Sequence, residues 1–168
     1  KYWELKKNRF THQDILASRM GYQHQEIANF TSEWMSLIEA PEFLKLDVGY
    51  SGMPHTLKKL NEKATLYVCT ARQFREPVLG QLERLGLLPY FSETIVTHQN
   101  ESKNQLIKLH VPNLSGDDWI VGDTGNDIQV GKMLGIRTCA VLSGFLNKKN
   151  LSHYKPDLIL QTAADFSV

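Results

Sequence analysis

The segment Trp-Ile-Val-Gly-Asp-Thr-Gly-Asn-Asp, at residues 119–127, is the strongest indication of the fold of this chain. Its first four residues predict a short apolar β-strand, and the glycine-containing turn after them leads into a helix. An apolar strand of this kind belongs to a sheet covered on both faces, and ligands bind at the carboxyl ends of such strands. Asp123 and Asp127 are therefore expected to lie together at one strand tip.

The alternation of strand and helix runs through the chain from residue 55 onward. Apolar, β-branched segments predict further strands at residues 64–70, 94–97, 137–142 and 157–160. Helical patterns are found at residues 55–63, 76–85, 103–109, 127–134 and 147–154. This order predicts an α/β fold, in which helices cover both faces of a doubly wound, mostly parallel, Rossmann-like sheet.

The first 46 residues carry a helical pattern and no strand signal. Thr11 and Asp14 have the spacing of a capping box, Gly21 is a helix stop, and Pro41 is expected to end the second helical segment. Aromatic residues recur at helical spacing and are expected to form core rather than a ligand site: Tyr2, Trp3, Phe30 and Trp34. A turn-rich link follows at residues 47–54. We therefore expect a small helical domain at residues 1–48 and an α/β core domain at residues 49–168.

The composition excludes several classes of protein. Hydrophobic residues make up 42% of the 168 residues, which is incompatible with wholesale disorder. The net charge is +1, so neither nucleic acid nor an anionic membrane is indicated as a partner. No apolar run is long enough to cross a bilayer. The two cysteines lie in apolar, β-rich segments and are expected to be reduced, buried thiols, which favours a cytoplasmic location.

The pair of acids at the tip of the predicted strand at 119–122 is the strongest chemical signal. Two carboxylates there indicate a site for a hard cation, with Mg²⁺ as the expected ion and a phosphate group nearby. Free amide groups at the start of the next helix point into the same space. The alternative for Asp127 alone is a structural role as a helix cap. Two acids together, Asp123 and Asp127, favour the metal site.

Polar and basic residues follow the neighbouring predicted strands. The hydroxyl of Thr70 and the backbone of Ala71 can hydrogen-bond phosphate oxygens, and Arg72 can add a charged fork. Thr70 alone is more often a helix cap. Lys103 opens a predicted helix and can neutralise a phosphate or steady a carboxylate, although an isolated lysine is usually solvated and Lys108 is a competing candidate.

The order of Thr70, Lys103, Asp123 and Asp127 on successive strand and helix units resembles the haloacid dehalogenase-like (HAD-like) hydrolase superfamily, most of whose members are Mg²⁺-dependent phosphatases. The resemblance covers residues 52–166, and the helical region before them looks like the small cap of that family. It implies phosphoryl transfer through an aspartyl-phosphate, which water then hydrolyses. The implied roles are catalytic for Thr70, Lys103 and Asp123, substrate-binding for Thr70, Ala71, Arg72 and Lys103, and metal-binding for Asp123 and Asp127.

The chain departs from the family pattern at the first motif. No Asp-x-Asp follows an apolar strand before the helical region, and neither Asp14 nor Asp47 is accepted as the nucleophile. In the family, the strand that carries this motif lies at the centre of the sheet, between the strands that end at Thr70 and Asp123. We therefore expect an extension upstream of Lys1 that supplies this strand and its aspartate. This chain alone is expected to be inactive.

The function implied is hydrolysis of a small phosphorylated metabolite, with a small-molecule phosphate ester as the expected partner. Two alternatives stay open: a catalytically inactive relative that serves as a binding or regulatory module, and a phosphomutase of the same fold. Side chains of the helical region that could reach the site are Arg9, Arg19, His24 and Trp34.

Overall fold

A computed structural model describes residues 2–8 and 10–168, without the side chain of Trp3. The N-terminal region contains the helices α1 (Tyr2–Lys7), α2 (His12–Met20), α3 (His24–Leu37) and α4 (Pro41–Leu44). The predicted capping box of Thr11 and Asp14 is present at the start of α2, and Gly21 ends that helix. The expectation for Pro41 was wrong. It begins α4 after α3 has ended at Leu37, because a proline in the first helical turn lacks only an N–H that has no partner there.

Aromatic rings hold the first three helices together. Phe30 and Trp34 stack one turn apart on α3, with ring centroids 6.4 Å apart. The ring of His12 lies 5.1 Å from Phe30 and 5.2 Å from Trp34, and a hydrogen bond of 2.7 Å joins its Nδ1 to the hydroxyl of Tyr2. Tyr2, Phe30 and Trp34 thus pack on one another but are only half-buried, and the side chain of Trp3 lies outside the described residues.

The rest of the chain confirms the predicted alternation of helices and strands. In order, its elements are α5 (Met53–Asn61), β1 (Tyr67–Thr70), α6 (Arg75–Arg84), β2 (Glu93–Val96), α7 (Lys103–His110), β3 (Trp119–Gly122), α8 (Gly125–Leu134), β4 (Arg137–Val141), α9 (Lys148–Ser152) and β5 (Leu158–Leu160). Short 3₁₀ turns occur at Leu88–Tyr90 and Ala163–Asp165. None of the helices in the described part of the chain has the length and apolarity needed to span a bilayer.

The strands pair in parallel, as predicted, but they form two sheets rather than one. β1 pairs with β2, and β3, β4 and β5 form a separate sheet in that order. Among the described residues, β1 and β3 therefore each have one edge without a strand partner. Unpaired edges expose backbone groups that can hydrogen-bond another strand.

Helices cover both faces of the three-stranded sheet. Ala140 of β4 packs with Ile128 of α8 and Leu151 of α9, and all three are fully buried. Cys139, the neighbouring residue on β4, points to the opposite face and lies in a second cluster with Phe166. Helix α7 contacts β1, β2 and α8, so it joins the two sheets. The fold is thus the doubly wound α/β fold that the sequence predicts.

Candidate active site

The carboxyl end of β3 carries both acids of the predicted site. Asp123 directly follows the strand, and Asp127 lies in the first turn of α8. Thr124 is the N-cap of this helix: its hydroxyl donates to Oδ2 of Asp127 at 2.6 Å, and its backbone N–H donates to the same oxygen at 3.2 Å. The helix-capping role that was the alternative for Asp127 is therefore present, and it occupies one of the two carboxylate oxygens.

The other oxygen of Asp127 accepts a hydrogen bond from Lys103. The distance from Nζ to Oδ1 is 2.6 Å, and the two side chains are only 15% and 7% exposed. Lys103 is the first residue of α7, whereas Lys108 is exposed further along the same helix. The structure therefore brings Lys103, and not Lys108, to the pair of acids.

Asp123 lies beside this ion pair in a half-buried position. Burial raises the pKa of its carboxyl group, and the negative charge of Asp127 raises it further. The backbone N–H of Phe145 donates to the carboxylate. Gly144 packs so closely that a β-carbon at this position would overlap the carboxyl group of Asp123. The loop after β4 therefore fixes the orientation of this acid.

Thr70 ends β1, in the two-stranded sheet. Its carbonyl oxygen accepts a hydrogen bond of 3.0 Å from the backbone N–H of Thr97. The thiol of the preceding residue, Cys69, has its pKa raised mainly by burial, with smaller and opposite effects from the charges of Lys103 and Asp127. Helix α7, which begins at Lys103, packs against both β1 and β2.

Ala71 and Arg72 continue from Thr70 into the loop before α6. Ala71 is exposed and Arg72 is half-buried. Nη1 of Arg72 donates a hydrogen bond of 3.1 Å to the carbonyl oxygen of Ile38, at the end of α3. The guanidinium group is thus directed at least in part toward the helical region.

The donor set fits a magnesium ion only in a limited sense. Residues 2–8 and 10–168 contain no cluster of three or more His, Cys, Asp or Glu side chains that could hold a metal. Mg²⁺, however, is commonly bound by one or two carboxylates, with waters and substrate oxygens completing the shell. Asp123 and Asp127 supply such a pair. The negative charge of Asp127 raises the pKa of Asp123 because the two carboxylates repel each other, and a bound cation would relieve that repulsion.

The other residues considered from the sequence lie elsewhere or are not described. Asp14 caps α2, and Oδ2 of Asp47 accepts a hydrogen bond from the side chain of Gln81, so neither ends a strand. Arg19 and His24 are exposed, and Trp34 belongs to the aromatic cluster. Arg9 lies outside the described residues.

Sequence reasoning missed the residues that support the site from a distance. Gly144 could have been noticed in the sequence, since it is a glycine just beyond the end of a predicted strand. Gly122, the last residue of the strand before Asp123, is a comparable glycine. Glu39 is buried against the loop that follows β1, and nothing in its local sequence distinguishes it from a surface acid at a helix end.

Comparison with known proteins adds independent information on the fold. A family model described as HAD-hydrolase-like matches residues 98–166. The pyrophosphatase PpaX of Bacillus pumilus is 30% identical over 123 residues, which cover 69% of this chain and 56% of PpaX. The chain thus spans little more than half the length of this relative.

Two solved structures have the same fold. Protein SP0104 of Streptococcus pneumoniae, a haloacid dehalogenase-like hydrolase, matches with a TM-score of 0.70 at 19% identity, over 84% of this chain and 68% of that one. YfnB of Bacillus subtilis is described as a HAD hydrolase bound to magnesium. It matches with a TM-score of 0.63 at 19% identity, over 96% of this chain and 73% of YfnB. From the family model, the relative and the shared fold, the chain belongs to the HAD-like hydrolase superfamily.

Proposed function

We propose that this chain carries most of the active site of a Mg²⁺-dependent phosphatase that acts on a small phosphorylated metabolite. The main support is the ion pair of Lys103 and Asp127 beside Asp123, at the carboxyl end of β3. Ligands bind at this end of the strands in open α/β sheets. An ammonium group next to two carboxylates offers one positive donor for a phosphate and two acidic ligands for a cation.

Each residue at the strand ends has a chemical role in this proposal. The hydroxyl of Thr70 and the backbone N–H of Ala71 hydrogen-bond the phosphoryl oxygens, and Lys103 offsets their negative charge. Arg72 has further N–H donors beyond the one that contacts the helical region. Asp123 and Asp127 hold Mg²⁺, directly or through water, and the bound ion would neutralise charge on the phosphoryl group.

The nucleophile in this proposal is an aspartate on a further strand that pairs between β1 and β3. The support is the division of the strands into two sheets, which leaves an edge of each of these strands without a partner in the described part of the chain. The aspartate oxygen attacks phosphorus, the ester P–O bond breaks, and the leaving alkoxide takes a proton from water to become the alcohol. Water then hydrolyses the aspartyl-phosphate to aspartate and inorganic phosphate. A structure of the full-length protein in which β1 pairs directly with β3 would contradict this arrangement.

The helical region of residues 1–48 serves as the cap in this proposal and shapes the choice of substrate. Inorganic pyrophosphate is one substrate to test, because the relatives from two bacteria are named pyrophosphatases. Both cysteines are unpaired, with Cys139 fully buried and Cys69 partly so, which supports a reducing, cytoplasmic environment.

The test is hydrolysis of pyrophosphate and a panel of phosphate esters by the full-length protein, with Mg²⁺ and with EDTA. We expect activity only with the metal, and a loss of at least about a hundredfold in Asp123→Asn. The matched control is Asp117→Asn, at an acid that is 89% exposed and pairs with Arg137 away from the site. Unchanged turnover by Asp123→Asn would refute the metal assignment. Inorganic phosphate binding without hydrolysis of any ester would identify a binding protein instead.

A further inference from the structure

The loop between β1 and α6 is held by a buried acid from the helical region. Glu39, two residues beyond the end of α3, is only 6% exposed. Its Oε1 accepts a hydrogen bond of 2.8 Å from the backbone N–H of Gln73, and its Oε2 accepts one of 3.2 Å from the backbone N–H of Phe74. Both carboxylate oxygens thus bind main-chain donors of the loop.

The same two segments are joined in the opposite direction. The side-chain amide of Gln73 donates to the carbonyl oxygen of Met35 at 2.7 Å, and Nη1 of Arg72 donates to the carbonyl oxygen of Ile38 at 3.1 Å. These carbonyl groups belong to the last turn and the C-cap of α3. The reciprocal contacts of residues 35–39 with residues 72–74 are called the helix-end clasp below.

The charges of the helix-end clasp match the helix termini that they meet. A guanidinium group lies at the C-terminus of α3, where the helix dipole is negative, and the carboxylate of Glu39 lies at the N-terminus of α6, where it is positive. Phe74 is the N-cap of α6, and its side chain makes no capping hydrogen bond. The N–H of the N-cap residue is the group that an acid at the third helical position binds in a capping box, and here Glu39 accepts from it instead.

The loop is also fixed from its other side. Nδ1 of His98 lies 2.7 Å from the carbonyl oxygen of Gln73, within hydrogen-bonding distance. His98 itself stands in a left-handed backbone conformation, with φ of 49°, in the connection that leads from β2 to Lys103. Contacts to the main chain of Gln73 thus link the helical region, through the loop, to the segment that carries Lys103.

We propose that Glu39 is a positioning residue for the phosphate-binding loop. The inference rests on the proposed function, because the loop that Glu39 holds begins directly after Thr70, which binds phosphate in that proposal. By fixing the amides of Gln73 and Phe74, Glu39 sets the path of the backbone from Thr70 through Ala71. The loop then takes the conformation that binds a phosphoryl group while the helical region is docked on it.

The test uses the full-length protein with Mg²⁺ and the variant Glu39→Gln. A glutamine keeps the shape of the side chain and one acceptor, but it turns an NH₂ donor toward the second backbone N–H. The matched control is Glu33→Gln, at an exposed glutamate of α3. Glu39→Ala is a second variant that removes both acceptors without adding a donor. Thermal melts establish that each variant is folded at the assay temperature.

Two readouts separate positioning from simple structural support. Hydrogen exchange reports the protection of the Gln73 and Phe74 amides. Titration with inorganic phosphate, together with KM and kcat for p-nitrophenyl phosphate, reports the state of the phosphate site. In Glu39→Gln we expect these amides to exchange at least about tenfold faster, and the Kd of inorganic phosphate and the KM to rise about tenfold, as for the loss of one charge-assisted hydrogen bond. A smaller fall in kcat is expected, and wild-type values are expected for Glu33→Gln.

The outcomes distinguish this inference from the proposed function. If amide exchange in Glu39→Gln is unchanged, or if it rises while the phosphate Kd stays within twofold of wild type, the positioning role is overturned. A wild-type protein that binds phosphate but hydrolyses no ester contradicts the proposed function alone, since exchange and phosphate affinity still test Glu39. A wild-type protein that binds no phosphate overturns both.

Discussion

The ammonium group of Lys103 lies 2.6 Å from Oδ1 of Asp127, although the helices that carry these residues follow strands of different sheets. Helix α7 comes after β2, and α8 comes after β3. The ion pair and the packing of α7 on α8 are thus part of what joins the two sheets. Asp127 also caps its own helix through Thr124, so one carboxylate serves the fold and the site together.

Replacement of Lys103 tests this ion pair. Because the side chain of Asp127 is only 7% exposed, Lys103→Met leaves a buried carboxylate without its positive partner, and we expect a loss of about 3 kcal/mol in the free energy of unfolding. The double variant with Asp127→Asn is expected to recover more than half of that loss. The measurement is urea denaturation, with the exposed Lys108→Met as the control. A loss in Lys103→Met no greater than in the control would show that the pair contributes nothing.

Replacement of Gly144 tests how Asp123 is oriented. A β-carbon there would overlap the carboxyl group of Asp123, so we expect Gly144→Ala to displace the acid and reduce Mg²⁺-dependent turnover at least about tenfold. The control is Gly80→Ala on α6, where a β-carbon meets nothing within 4 Å. That change should leave turnover as it is and stabilise the helix by about 0.5–1 kcal/mol. Wild-type kinetics in Gly144→Ala would mean that Asp123 can shift without consequence.

The pH dependence of stability reports on Asp123 when the metal is removed. Burial and the charge of Asp127 raise its pKa above the usual 3.8, so the folded protein holds this proton more tightly than the unfolded chain does. The ionised acid therefore destabilises the fold above that raised pKa, and the penalty disappears as the pH falls through it. In EDTA at pH 7 we expect Asp123→Asn to be more stable than wild type, and the two proteins to converge in acid.

The same unfolding series with Mg²⁺ provides the control for this expectation. Wild type should gain stability from the ion, whereas Asp123→Asn should gain less, because a ligand stabilises only the state that binds it. If the difference in free energy of unfolding between wild type and Asp123→Asn in EDTA does not change with pH, ionisation of Asp123 is not its cause.

Asp157 shows the opposite behaviour at the edge of the core. Its Oδ2 accepts hydrogen bonds of 2.7 Å from both the hydroxyl and the backbone N–H of Thr138, which lower the pKa of the acid. A lowered folded pKa gives stability that is complete above the unfolded value and is lost as the pH falls through the folded one. Asp157 is exposed and solvent screens its charge, so we expect Asp157→Asn to cost only about 1 kcal/mol at pH 7, and nothing in strong acid.

The exposed Asp117 provides the comparison for Asp157. Its ion pair with Arg137 is on the surface, so Asp117→Asn should change the free energy of unfolding by no more than about 0.5 kcal/mol at any pH. Urea unfolding measures both variants. Equal changes in the free energy of unfolding for the two substitutions, or no pH dependence for Asp157→Asn, would refute a stabilising role for the hydrogen bonds of Asp157 with Thr138.

Local patterns in the sequence were sufficient to predict most elements and the tip of β3. The apolar run before Asp123 predicts a strand with the bounds of β3. Side chains on both faces of such a strand are covered, so the segment is apolar along its whole length. The capping box of Thr124 and Asp127 has the same spacing as that of Thr11 and Asp14, although it was not predicted, and α8 begins two residues before the predicted start. Both features depend on residues within a few positions of each other, so they can be read without a structure.

Contacts between residues far apart in the sequence became visible only in the folded chain. The choice of Lys103 over Lys108, the contact of Gly144 with Asp123, and the burial of Glu39 against Gln73 each depend on how separate elements pack. The division of the strands into two sheets also depends on which strands are neighbours. Hydrophobic periodicity specifies that an element is buried and which face is apolar, but it carries no information on the partner. Those pairings are set by packing and hydrogen bonding across the whole chain.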